Sequence, residues 1–295
     1  KKRGSLEFNG QELSFKLDEN SKPIDIIFKQ QKDANKLIEE YMLLANRRVT
    51  KYLNGKEIPM INRVHDEPDP EKLSSLKEFI LKFGYDVKIN TPQEIKTSLN
   101  KLIEDVKGSA EENIVNNLVI RSMRKAQYST ENIGHYGLGF VDYSHFTSPI
   151  RRYPDVILHR ILTSVKSNGK PMSEKGLVIE CEHLSNREVK AQKASRDSIK
   201  YKQCEFMEDK VGITYDGVVV SVTKHGLFVE MKDTNCEGMV RLSDIGGDTY
   251  SVDLDNHCVK GYNDGGVIRL GDEVKIVVKG VDVEKKNIDL TLIRN

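Results

Sequence analysis

The eleven residues from His145 to Asp155, HFTSPIRRYPD, gather a histidine, two hydroxyl side chains and two consecutive arginines around one prolyl turn. Such a loop suits a phosphodiester. The guanidinium forks of Arg151 and Arg152 match phosphate oxygens bidentately. Thr147, Ser148 and the backbone before Tyr153-Pro154, where a helix is set to start, add neutral donors. The plainer alternative is an ordinary loop whose arginines pair with Asp142 and Asp155. Tyr128, His135 and Tyr136 carry rings able to stack on bases, although packing accounts for them more simply.

Metal-assisted hydrolysis needs clustered carboxylates that hold the ions close together, and the chain has no such cluster. Its densest acidic run, Asp66-Glu67-Pro68-Asp69, lies in a proline-rich loop and reads as structural. Cys181, Cys204, Cys236 and Cys258 are widely spaced, with no CxxC pair and no histidine at a structural-zinc spacing. They read as reduced thiols of a cytoplasmic protein. His65, His159 and His183 read as structural or solvated. No apolar run approaches a membrane span, and no apolar segment follows Lys1-Lys2-Arg3 as a signal peptide requires.

The elements that would position the loop are legible from periodicity. Residues 5 to 28 read as an antiparallel meander, because Leu13, Phe15 and Leu17 alternate with polar neighbours and DENSKP forms a turn. From Asp33 the period changes to three or four, with Ala34, Leu37, Ile38, Tyr41, Leu44, Ala45, Val49 and Tyr52 on one face and Asn54-Gly55 as the stop. The Pro-rich loop RVHDEPDPEKL follows. Thr91-Pro92-Gln93-Glu94 is a capping box opening a helix that Gly108 closes. Further helices fit 110–126, 154–166 and 173–206, and Gly134, Gly137 and Gly139 mark an irregular stretch between them.

With 295 residues the chain has room for about two domains. Past Val211 it breaks into five short β-runs with glycine turns, GITYDGVVVSV, HGLFVEM, EGMVRL, VIRLGDEVKIVVKGVD and NIDLTLI, which predict a small OB-type barrel. Charge divides at the same place. Residues 211–295 hold 10 Lys+Arg against 14 Asp+Glu, net −4, and residues 1–210 carry net +5. A polyanion is therefore held by local basic surfaces of the first region. One candidate is Arg187, Lys190, Lys193, Arg196 and Lys200, five cations on one side of a helix, for which a solvated face relieved by Glu188 and Asp197 is an equal alternative.

The stretch KAQYSTENIGHYGLGFVDYSHFTSPIRRYPDVILHRIL resembles the C-terminal half of the catalytic domain in the RNB (ribonuclease II) family of processive 3′→5′ exoribonucleases, its ribonuclease R members most closely. GSLEF, KLIEEYMLLAN and RVHDEPDPEKL extend the resemblance along the chain. The C-terminal region resembles an S1-type RNA-binding domain with the variant segment DTYSVDLDNHCVKGYNDGGVIRLGD. The fold implied is α+β, with part of the RNB catalytic domain at 1–208 and an all-β OB-fold barrel at 209–295. The activity implied is magnesium-dependent degradation of single-stranded RNA to nucleoside monophosphates, without membrane association.

By the same resemblance Arg151 contacts the phosphate near the scissile bond, and Arg152, Tyr153, His145, Thr147 and Ser148 shape the channel around it. Glu39 and Glu40 lie on the helix facing the terminal nucleotides, where a carboxylate can accept from a ribose hydroxyl. Tyr41 and Leu44 are expected to define a buried face beside them. Phe228 is a stacking platform or a barrel-core residue, while His225 and Arg241 replace an aromatic and a histidine usual in that domain. The family's Asp-rich motif and cold-shock domains precede the GSLEF match, so the chain reads as a fragment. No Mg2+ is expected to bind through it alone, and a non-catalytic RNA-binding module is the alternative. The oligomeric state is not readable.

Overall fold

Helix α1 shows how this sequence builds its elements, since 22 residues from Asp33 to Asn54 contain neither glycine nor proline. Asp33 in its first turn and Lys51 in its last complement the helix dipole. A computed structural model describes residues 5, 12–29, 32–109, 112–170, 172–254, 256–263 and 265–293. Of GSLEF, only Ser5 is among them.

In chain order the elements are β1 (Glu12–Leu17), β2 (Pro23–Lys29), α1 (Asp33–Asn54), β3 (Asn62–Val64), α2 (Pro70–Leu81), α3 (Pro92–Asp105), α4 (Glu112–Ser122), β4 (Gln127–Ser129), α5 (Tyr153–Lys166) and α6 (Glu174–Met207). Then come β5 (Thr214–Thr223), β6 (Gly226–Met231), β7 (Glu237–Arg241), β8 (Tyr250–Asp253), β9 (Cys258–Gly261), β10 (Val267–Arg269), β11 (Glu273–Asp282) and β12 (Asn287–Ile293). The described residues sort into two compact units, the first chiefly within 31–105 and 118–192, the second within 10–30, 106–117 and 193–295.

In the first unit, short strands β3 and β4 pair antiparallel, Arg63 opposite Tyr128. Around them Leu53, Met60, Ile61, Ile157, Leu158, Ile161, Leu177 and Leu184 make a continuous core. Two expectations are corrected here. RVHDEPDPEKL is not a loop throughout: Asn62–Val64 is a strand and Pro70 opens α2, because the Asp69 carboxylate accepts from the Glu71 and Lys72 amides and proline suits the first helical position. The apolar stripe of α1 is not its buried face. Leu37, Ile38, Tyr41, Leu44 and Tyr52 are exposed, and the buried residues are Asn46, Thr50 and Leu53. Leu53 and the polar side chains of Asn46 and Thr50 face its unit instead. Thr91 caps α3 as its spacing predicts, accepting from the Glu94 amide at 3.2 Å.

In the second unit, β1 and β2 form an antiparallel pair turned at Asp18–Lys22. The strands β11-β12-β7-β6-β5 close into a barrel. Val219, Leu227, Val229, Met231, Val240, Ile276, Val278, Ile288 and Leu290 fill it. The variant segment folds as a separate three-stranded sheet, β10-β9-β8, so VIRLGDEVKIVVKGVD is two strands in different sheets rather than one. Gly226 at the start of β6 has φ +149°, and a β-carbon there would collide with the Val240 carbonyl oxygen. Among the described residues no helix is long and apolar enough to cross a membrane.

Candidate functional site

The His145–Arg152 loop is held by buried side chains that reach its backbone. Asn46, 3% exposed, accepts through Oδ1 from the Phe146 amide at 2.9 Å and the Thr147 amide at 3.2 Å, while its Nδ2 donates to the Tyr143 hydroxyl at 3.3 Å. Asp155 Oδ1 accepts from the Ser148 amide at 2.8 Å, and the Ser148 carbonyl accepts from the amides of Arg151 and Arg152. Ser144 donates to the Ile61 carbonyl at 2.6 Å. The Phe146 ring stacks on His159, with centroids 4.0 Å apart and planes 7° from parallel. His159 Nε2 donates to the Phe146 carbonyl at 2.9 Å. Buried backbone donors need such partners, and here they come from α1 and α5.

The two arginines separate. Arg152 turns inward, its Nη2 bonding Asp155 Oδ1 at 2.8 Å, with that carboxylate fully buried. Arg151 is exposed, and its guanidinium makes no hydrogen bond or ion pair among the described residues. Pairing of the arginines with nearby aspartates therefore holds for Arg152 and Asp155 only. Asp142 accepts from Asn54 and Asn132 instead. Beside Arg151, Ile150 is wholly exposed and Tyr153 about half exposed, accepting from Arg160 at 3.3 Å. Thr147 and Ser148 are half-buried.

Beneath the loop lies a neutral histidine cluster. His145 Nδ1 and the Tyr128 hydroxyl are 2.8 Å apart. Arg63 sits 4.8 Å over the Tyr128 ring and forks onto Glu188 at 2.5 and 3.0 Å. His135 packs edge-on to Tyr143 and 5.0 Å from His65. Burial pushes His145 down to about 2 and His135 to about 3, with Arg152 adding to the first and His65 to the second. Burial likewise lowers His65 and raises the Tyr128 hydroxyl. His65 is fixed as one tautomer, its Nε2 donating to the Arg124 carbonyl and its Nδ1 accepting from the Gly137 amide at 2.9 Å. A β-carbon at Gly137 would press on that ring at 3.1 Å, which explains the glycine. These histidines shape the loop as neutral rings and offer no cation to a phosphate. Tyr128 is packed rather than available for stacking.

Glu39 and Glu40 are both exposed on α1. Glu39 stands seven residues before Asn46, two turns that return it to nearly the same face, about 10 Å along the axis. Glu40 is turned away by about 100°. On the barrel, Leu227, Val229 and Met231 point inward, so Phe228 lies half-buried on the outer face, opposite Ser221 and Met239. The core alternative for Phe228 is thereby corrected, since strand alternation leaves it outside. His225 is exposed, and Arg241 pairs with Asp289 at 3.2 Å.

Of the five cations on α6, Arg187, Lys190, Lys193 and Arg196 are exposed and Lys200 donates to the Glu237 carbonyl. The carboxylates expected to relieve them are directed elsewhere, Glu188 to Arg63 and Asp197 to Lys286.

Among the described residues no group of three His, Cys, Asp or Glu could hold a metal ion. Asp66 pairs with Arg124, Asp69 caps α2 and Asp155 holds Arg152. The donors present do not fit a divalent-metal centre. Sequence reasoning missed Asn46 and the Arg63–Glu188 pair. The one signal for Asn46 is a polar residue beside the apolar positions Leu44, Ala45 and Val49.

The loop thus presents one exposed arginine beside two hydroxyl side chains, and it is followed in the chain by a closed five-stranded barrel of the OB type. The RNB domain family matches residues 1–168 and the S1 RNA binding domain family residues 208–293. The chain belongs to the RNB family. It is 37% identical over 294 residues to ribonuclease R of Aquifex aeolicus, covering 98% of this chain and 41% of the relative. In structure it is similar to the apo form of Mycoplasma genitalium RNase R, with TM-score 0.90 and 27% identity, covering 99% of this chain and 47% of that one. The same Mycoplasma enzyme in complex with ribose-methylated single-stranded RNA matches with TM-score 0.90 and 28% identity over the same shares. The chain spans about two fifths of the length of the curated relatives it matches.

Proposed function

We propose that the chain is part of a processive, magnesium-dependent 3′→5′ exoribonuclease that degrades single-stranded RNA to nucleoside monophosphates in the cytoplasm. Residues 1–208 are the C-terminal part of its RNB domain and 209–295 its S1-type domain. The observation that carries this reading is Arg151, exposed and unpaired among the described residues on a loop whose backbone is pinned from two sides. Similarity to an RNase R that holds single-stranded RNA supports the choice of ligand.

In this reading Arg151 forks onto the phosphate beside the scissile bond, where a fixed cation stabilises charge that develops during hydrolysis. Thr147 and Ser148 offer hydroxyl donors at the same turn, and Tyr153 offers a ring. His145 keeps the loop in shape without charge, and Arg152 does so through Asp155. Glu39 or Glu40 accepts from a ribose hydroxyl, which separates RNA from DNA. Phe228, on the outer barrel face, stacks on a base.

The second reading is a non-catalytic RNA-binding module, favoured by the lack of a metal-holding carboxylate group among the described residues. A cleavage assay separates the two. The 295-residue chain and the full-length protein of the same reading frame are each incubated with 5′-labelled single-stranded RNA and magnesium. Stepwise shortening by the full-length protein alone, abolished by a chelator, is expected. A full-length protein that binds RNA and leaves it intact would sink the nuclease reading.

A further inference from the structure

Arg151 reaches outward from a turn that does not hold itself. Among the described residues, the turn's own backbone is closed only by hydrogen bonds from the Arg151 and Arg152 amides to the Ser148 carbonyl, at 3.3 and 3.0 Å. His159 holds the Phe146 carbonyl, and two buried side chains take the amides that lead into the turn. Asp155 takes the Ser148 amide from the α5 side. Asn46 takes the two preceding amides, Phe146 and Thr147, with a single oxygen from the α1 side.

We propose that Asn46 is a positioning residue for Arg151, setting the direction from which its guanidinium meets the phosphate. This rests on the reading of Arg151 given above. Three observations support it. Asn46 is almost wholly buried, so its amide has no role as a solvated group. Its Oδ1 serves two consecutive backbone amides, which fixes the orientation of both peptide planes and hence the path into Ser148. Its Nδ2 is in turn held by the Tyr143 hydroxyl, and Tyr143 is anchored to β3 through the bond from the Arg63 amide to its carbonyl at 2.8 Å. The amide is thus oriented from behind before it holds the loop in front. An apolar residue of the same size would fill the space and leave two buried amides without acceptors, so the turn would shift to find others. Displacement of a catalytic group by about 1 Å lowers a rate by about 100-fold in the extreme case. RNA binding, spread over many contacts, would change little.

The test uses the full-length enzyme with 5′-labelled single-stranded RNA. Single-turnover cleavage is measured with magnesium, RNA affinity with a chelator present, and folding by thermal melts. Asn46→Leu is expected to slow cleavage about 10- to 100-fold with affinity within about threefold. Asn46→Asp keeps an acceptor for both amides and is expected to restore most of the rate. Combined with Arg151→Ala, Asn46→Leu should add little further loss, because the two act through one group. Equal losses of rate and affinity, no rescue by Asn46→Asp, or a full additional loss on the Arg151→Ala background would overturn the proposal. If Asn46→Leu does not fold, Tyr143→Phe frees the Asn46 amide with a smaller change. It should show the same rate-specific loss at lower amplitude, and an unchanged rate would overturn the proposal. Arg151→Ala with undiminished cleavage defeats the Arg151 reading itself. Slow Arg151→Ala beside normal Asn46→Leu defeats the Asn46 assignment alone.

Discussion

Arg152 and Asp155 form a 2.8 Å ion pair, three residues apart, in which the carboxylate is fully buried while the neighbouring Arg151 stands in solvent. Two identical side chains in succession are thereby given opposite duties. One is part of the scaffold and the other is available to a ligand.

Removing each should separate these duties. Asp155→Ala leaves a partly buried guanidinium and the Ser148 amide without their partner, and should cost about 2–4 kcal/mol of stability. Arg151→Ala, at an exposed side chain, should change stability by no more than about 0.5 kcal/mol. Urea titrations of the two variants check this. In the active full-length protein, Arg151→Ala should slow cleavage more than it weakens binding, and Arg151→Lys should rescue it only in part. A large affinity loss at unchanged turnover would make Arg151 a simple binding residue.

The buried histidines predict acid sensitivity with a definite sign. In the folded state His145 is held down to about 2 and His135 to about 3, against an ordinary value of 6.5 in the unfolded chain. Below 6.5 the unfolded state takes up protons that the folded state refuses, so stability is full above that value and falls as pH drops toward 3. Each histidine removes up to about 1.4 kcal/mol per pH unit. Urea midpoints measured between pH 7 and 5, before most carboxylates titrate, should fall. His145→Gln should flatten the slope.

Phe228 lies on the outer barrel face, so its removal should leave the barrel folded. Phe228→Ala is expected to cost about 1–3 kcal/mol of single-stranded RNA binding if the ring stacks on a base. Thermal melts and RNA titrations of the same sample give both quantities. A barrel that melts early would contradict the outward placement.

Gly226 offers the converse test on the same strand. With φ +149° and the Val240 carbonyl oxygen in the way of any β-carbon, Gly226→Ala should destabilise the barrel by about 1–3 kcal/mol or more. Circular dichroism melts of the variant provide the measurement.

Much of this architecture is legible where one residue type has one physical use. Asn54-Gly55 ends α1, Thr91 caps α3, Tyr153-Pro154 opens α5, and alternation marks the barrel strands. The Asp69-Pro70 pair is an equally plain helix start, hidden by Pro68 just before it. The buried face of α1 is not legible in this way, because apolar periodicity reports which residues prefer burial and not which partners the helix meets. The face that this helix buries combines Leu53 and Val49, packed on the core, with the hydrogen bonds of Asn46. Within the candidate site, residue types pointed to the loop but not to the difference between Arg151 and Arg152. That difference depends on whether Asp155, in the first turn of α5, faces inward. The Arg63–Glu188 pair joins residues 125 positions apart and leaves no local trace in the sequence.

The barrel is closed unevenly. β11 and β12 share seven residue pairs, whereas β12 meets β7 in only two, Asp289 with Met239 and Leu290 with Val240, the one parallel junction in the cylinder. A cylinder with one short joint has a preferred place to open. Pulled apart or warmed, it should part between β12 and β7 first and lie open as a curved sheet in the strand order β12-β11-β5-β6-β7. The amides along that joint would then exchange with solvent sooner than those of the β11–β12 ladder. An opened sheet would expose its apolar inner face and two free edges, so self-association of a damaged barrel should begin at β7 and β12.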